Sequence, residues 1–176
     1  LSGPGYMCGP SVAGRPPLLQ NLILAQTETK PFQPQPMKAG ADPVPLYDNL
    51  GTLSFKVGTS DAKAQAYFDQ GIRMAFAFNH AEAQRAFQAA QKADPKLAMA
   101  WWGEALVLGP NINAPMMPDA VAPALAALAK AVELAPGAPE KDRALIAALK
   151  KRYSADPKAE RAVLDAAFAN AMKSVA

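Results

Sequence analysis

Between Ala64 and Pro95 the chain reads AQAYFDQGIRMAFAFNHAEAQRAFQAAQKADP, and the spacing of its apolar residues suits two helices joined by a turn. Tyr67, Gly71 and Met74 recur one helical turn apart on the first helix, Ala83, Phe87 and Ala90 do so on the second, and Pro95 closes the unit. Small residues let the two helices touch.

The pattern recurs. Adding thirty-four carries Ala64, Tyr67, Gly71 and Met74 to Ala98, Trp101, Ala105 and Leu108, keeping small, aromatic, small and large apolar in order. Adding forty-one carries Ala83, Phe87, Ala90 and Pro95 to Ala124, Leu128, Ala131 and Pro136. The second unit therefore holds a seven-residue insertion in its turn, within Gly109 to Pro118, GPNINAPMMP, where three prolines and one glycine forbid a continuous helix. Insertions in repeat proteins usually fall in loops on one face, often the binding face.

Over roughly residues 60–136 the chain resembles the tetratricopeptide repeat family. It is most similar to exported bacterial repeat proteins carrying runs like FNHAEA, AMAWWGEAL and GPNINAPM, which stand here at Phe78 to Ala83, Ala98 to Leu106 and Gly109 to Met116. The resemblance implies an all-α fold of helical hairpins and a periplasmic or extracellular setting; such relatives tend to be longer, with more repeats. Gln70 and Glu104 depart from the family pattern, which usually has a large aliphatic residue at both slots. A carboxylate facing the core needs a partner; at the edge of the stack both side chains would simply reach solvent.

Residues 1–58 read as an extended, proline-rich arm and residues 59–176 as the helical repeat domain. Nine of the seventeen prolines precede residue 60, and Arg15-Pro16-Pro17 and the run Pro31 to Pro36 favour polyproline-like backbone. Leu18, Leu19, Leu22, Ile23 and Leu24 form an apolar patch costly to leave in water, so the arm is expected to dock on a partner, with Leu19, Leu22 and Ile23 in the contact. The patch is too short for an export signal, and no stretch supplies the roughly twenty apolar residues of a membrane span. Cys8, the single cysteine, excludes an internal disulfide and paired-cysteine haem or zinc motifs, and its surroundings lack the approach of a lipid-anchor site.

Half of the 176 residues are apolar, enough for one sizeable core. A net charge of +3 with interleaved signs speaks against nucleic-acid binding. Leu50 to Val57 alternates as a short extended segment should, packed against the first helix, and Thr59, Ser60 and Asp61 offer an N-cap. Helices are expected over 61–78, 80–93, 96 or 97 to 108, and 118–134, with 141–153 and 158–174 forming a capping pair.

His80, the only histidine, stands beside Asn79 at the first turn, where capping or hydrogen bonding is expected with Glu104 as partner. One imidazole does not make a zinc site. On a helix Trp101 and Trp102 point about a hundred degrees apart. Trp101 takes the repeat's core slot, leaving Trp102 for a groove or interface contact or for packing on the neighbouring repeat. Asn111, Asn113 and Met116 in the inserted loop complete the expected partner-binding set. No Ser/His/Asp set, phosphate loop or carboxylate pair is evident; no catalytic residue, metal site or cofactor is expected. The reading is a protein-binding or accessory subunit, for example one extrinsic to a membrane complex. Its rival is a small-ligand or metal-binding periplasmic protein using His80, Glu104, Asn111, Asn113 and Met116.

Overall fold

The computed structural model describes residues 44–156 and 158–175, and among these it is all-helical, with no strand. The helices are α1 (Ala62–Phe76), α2 (His80–Ala93), α3 (Ala98–Leu108), α4 (Pro118–Leu134), α5 (Glu140–Leu149) and α6 (Arg161–Lys173), with a 3-10 turn at Ala135–Gly137. Each of the first four packs on its successor, α5 closes over α3 and α4, and α6 rests on α5.

Local signals set the ends. Asp61 caps α1 by accepting the Ala64 N–H at 2.7 Å, and Asn79 caps α2 through the Glu82 N–H at 3.5 Å. The helix expected to reach residue 78 stops at Phe76, because Phe78 adopts φ 58°. The Phe78 N–H then reaches the Ala75 carbonyl and the Asn79 N–H the Met74 carbonyl, at 3.1 and 2.9 Å. This is a Schellman closure with phenylalanine where glycine normally stands. The last pair is shorter than expected: α5 ends at Leu149, and Tyr153 lies beyond it, buried, donating its hydroxyl to the Ala105 carbonyl at 2.7 Å.

Phe87 is the keystone. Fully buried, it lies between α1 and α3 where both lack a side chain: a Cβ on Gly71 would stand 2.6 Å from its ring, and one on Gly103 would collide with it as well. The Phe68 ring meets Phe87 at 5.4 Å between centroids, and Phe55 meets Phe68 at 6.2 Å. Gly71 was legible as a small slot; Gly103 was not.

Ahead of α1, residues 44–58 form a strap held by side chains of that helix. Tyr67 donates to the Val44 carbonyl at 2.9 Å. Gln70 accepts from the Tyr47 N–H at 2.9 Å and donates to the Pro45 carbonyl at 2.8 Å. After a turn at Gly51, whose φ of 80° suits glycine, the strap returns along α1. Arg73 then donates to the Leu53 carbonyl, Asp69 accepts from the Phe55 N–H, and Gln65 bonds both Phe55 and Val57. Residues 53, 55 and 57 thus meet 73, 69 and 65. Two extended residues advance about 6.6 Å and four helical ones about 6 Å, so alternate strap residues fall opposite successive turns.

The expected extended segment on the first helix is therefore present, and the departure at Gln70 has its reason in the strap backbone. The boundary drawn at residue 58 falls after this packed segment; the rest of the arm, with Leu19, Leu22, Ile23 and Cys8, lies outside the described residues. At its far end the strap meets α5, where the Gly58 N–H donates to Asp142 Oδ2 at 2.9 Å. Lys141 Nζ also lies 3.8 Å from the Phe55 ring centroid.

One described stretch, Pro118–Gly137, is long and apolar enough to cross a membrane by length and composition. It is rich in alanine and carries Asp119, Lys130 and Glu133, so it makes no clear span of its own. Ala124, Ala127, Leu128 and Ala131 of this stretch are buried in the fold.

Candidate functional site

Between the C-terminal half of α1, α3, α5 and α6 lies a cavity of about 440 Å3 with an apolar lining. Ile72, Ala75 and Phe76 of α1 form one wall, Trp102, Leu106 and Val107 of α3 the floor, and Leu145, Phe168 and Met172 the far side. Phe78 and His80 enter from the first turn, Pro110 and Asn111 from the inserted loop. The three runs that carried the resemblance thus meet around one cavity.

Two of the lining residues, Phe76 and Phe78, are 75% and 53% exposed, and Ile112, next to Asn111 on the loop but outside the lining, is 88% exposed. Phe78 owes its position to the left-handed backbone that ends α1, a conformation that strains a residue with a Cβ by about 1–2 kcal/mol. Its ring stands edge-on to His80 at 6.0 Å. Asn111 holds the loop in a tight Asx turn, accepting the Asn113 and Ala114 N–H groups at 2.8 and 3.0 Å, which pushes Ile112 outward.

Few polar groups face the cavity. Among the described residues Arg152 is the only charged one in the lining; one Nη donates to the Pro110 carbonyl at 2.8 Å, and the guanidinium lies over Phe168 at 4.9 Å. Its Nε and both His80 ring nitrogens are shielded from solvent, with no hydrogen-bond partner among the described residues. Tyr153 anchors the segment that follows α5, and burial pushes its phenol up to about 12.

Of the expected contact residues, Trp102 and Asn111 line the cavity, Asn113 is exposed on the loop, and Met116 packs against the core. The two tryptophans are the reverse of the expected order in depth. Trp102 is buried under α5 and donates its indole N–H to the Leu145 carbonyl at 3.1 Å, whereas Trp101 is only half-buried. The slot equivalent to Trp101 in α1 is Tyr67, whose burial is completed by the strap at Val44. The thirty-four-residue spacing matches a helix position, not its cover.

Glu104 also needs correcting. It is buried, as its partner requirement assumed, but it bonds neither Asn79 nor His80. Gln84, Gln88 and Gln91 of α2 donate to it at 3.1, 2.7 and 2.7 Å. Positions i, i+4 and i+7 share a helix face, so three amides converge on one carboxylate. Among the described residues no group of three His, Cys, Asp or Glu side chains could hold a metal ion; of the donors named for the rival reading, His80 and Asn111 line the cavity, while Glu104 faces the glutamines of α2, Asn113 is exposed and Met116 packs on the core. Sequence reasoning missed Ile72, Phe76, Arg152 and Phe168; the Ile72/Phe76 pair at i, i+4 was a readable signal, whereas Arg152 and Phe168 reach the cavity only by tertiary packing.

No family model, curated protein or solved structure matches the chain.

Proposed function

We propose that the chain is a non-catalytic binding protein, an accessory subunit built of tetratricopeptide-like helical hairpins. The thirty-four-residue recurrence and the serial packing of α1 to α4 support the hairpin reading. One observation carries the functional part: a cavity lined by apolar side chains, the exposed Phe76 and Phe78 among them, with Ile112 exposed on the loop that contributes Asn111, a grouping expected of a contact surface. In this reading these three exposed side chains, together the rim, seat on an apolar surface of a partner protein. The proline-rich arm, through Leu19, Leu22 and Ile23, adds a second tether. A periplasmic or extracellular setting beside a membrane complex rests on the resemblance alone.

The test is capture of partners from the source cell's membrane and soluble fractions by the full chain, by Phe76→Ser/Phe78→Ser/Ile112→Ser, and by a chain lacking residues 1–43. The rim variant is expected to lose a partner that the intact chain retains. An unchanged partner list for both altered chains removes the reading.

A second reading, a small-ligand protein, is favoured by the cavity itself, whose volume lies in the range of small-molecule pockets, about 300–1,000 Å3. The two readings use different parts of one site, rim and interior.

A further inference from the structure

We infer that the interior of this cavity is a binding site for a single-chain amphipathic carboxylate, its apolar body lying along Ile72, Leu106 and Phe168 and its head group at Arg152. The inference rests on the small-ligand reading and gives that ligand a chemistry.

The volume bounds the body. A 150 Å3 apolar cavity holds one benzene, so about 440 Å3 has room for roughly ten to sixteen carbons. The lining fits such a chain and offers little to a polar one. The head group follows from charge: among the described residues Arg152 is the only charged side chain lining the cavity, and they supply no anion to meet it there. Stacking on Phe168 and the bond to Pro110 fix the guanidinium plane while leaving Nε without an acceptor. A guanidinium whose plane is fixed suits a carboxylate, whose planar oxygens match its geometry and charge.

His80 is a second polar residue in the lining, with both ring nitrogens shielded from solvent and without a partner among the described residues. A purely apolar occupant would leave the Arg152 charge unanswered; an occupant with a carboxylate would meet it.

The experiment is isothermal titration of the full chain with sodium decanoate and, separately, with 1-decanol, accompanied by the fluorescence of Trp102 in the cavity floor. Decanoate is expected to bind one per chain and at least tenfold more tightly than decanol. Arg152→Gln should weaken decanoate about tenfold and decanol less than twofold, while Arg152→Lys, which keeps the charge, should recover most of the loss. Leu106→Trp should fill the interior and abolish both. Thermal melts of each variant separate lost binding from lost folding. Absence of saturable decanoate binding to the folded wild-type chain overturns the inference, as does equal weakening of both probes by Arg152→Gln. Partner capture by the rim is read separately with Arg152→Gln as bait, and its success or failure leaves the decanoate result standing.

Discussion

The two flanks of α1 are finished in opposite ways. One carries Gln65, Asp69, Gln70 and Arg73 and is closed by the chain's own strap through main-chain hydrogen bonds; the other carries Ile72, Ala75 and Phe76 and opens onto the cavity. An extended backbone presents N–H and C=O groups that demand partners, so the flank that holds it must be polar. Among the described residues the other flank is met by no such backbone, and in the proposed reading it takes an occupant that brings an apolar surface. A single helix thus pairs polar side chains with a backbone contact already made and apolar ones with the cavity.

Several variants press on that contrast. Phe87→Ala removes the wedge on which both flanks depend and is expected to destabilise the protein by about 3–5 kcal/mol in denaturant titration; a loss under 1 kcal/mol would mean that the flanks are not organised by a common core. Gln70→Ala strips the Tyr47 N–H and the Pro45 carbonyl of their partners, at about 1–3 kcal/mol. Faster amide exchange at Tyr47 with unchanged decanoate affinity would separate the closed flank from the open one, and a joint change would merge them.

Phe78→Gly acts in the other direction. It relieves the left-handed backbone at the end of α1 and should raise stability by about 0.5–1 kcal/mol while weakening partner capture by the rim. A stabilised variant that captures its partner undiminished would show that the strain serves nothing at the open flank.

The smallest effect is expected where the closed flank meets α5. Burial lifts the Asp142 carboxyl above its ordinary value, against the lowering influence of the Gly58 N–H. The folded state then holds that proton more tightly than the unfolded chain, so the associated stability is complete below the unfolded carboxyl range and is lost as pH rises through the folded value. Asp142→Asn keeps an oxygen for Gly58 and has no charge to bury. It should gain on the wild type in melting temperature from about pH 3 toward neutrality, and a difference that stays flat with pH would dismiss the buried carboxylate as its source.

Much of this was readable before any coordinates. The α2 and α4 bounds, the Asp61 and Asn79 caps and the segment from Leu50 to Val57 lying on the first helix follow from local pattern. The site was read less completely: Trp102 and Asn111 were named, but Trp101 was placed deeper than Trp102, and Glu104 was given His80 in place of three glutamines. Both errors share a cause. A recurring register gives the face of a helix that a residue occupies, yet depth and partners depend on what lies across from it. For Trp102 that is Leu145, forty-three positions away.

Periodicity and capping act over one or two turns, so the amino-acid order alone was enough to set out an all-α chain and the ends of most of its helices. The cavity is different in kind. It exists because α5 folds back over α3 and α6 rests on α5, while Phe78 turns outward and Arg152 turns in, an outcome of packing between segments whose separation in the chain carries no periodic trace.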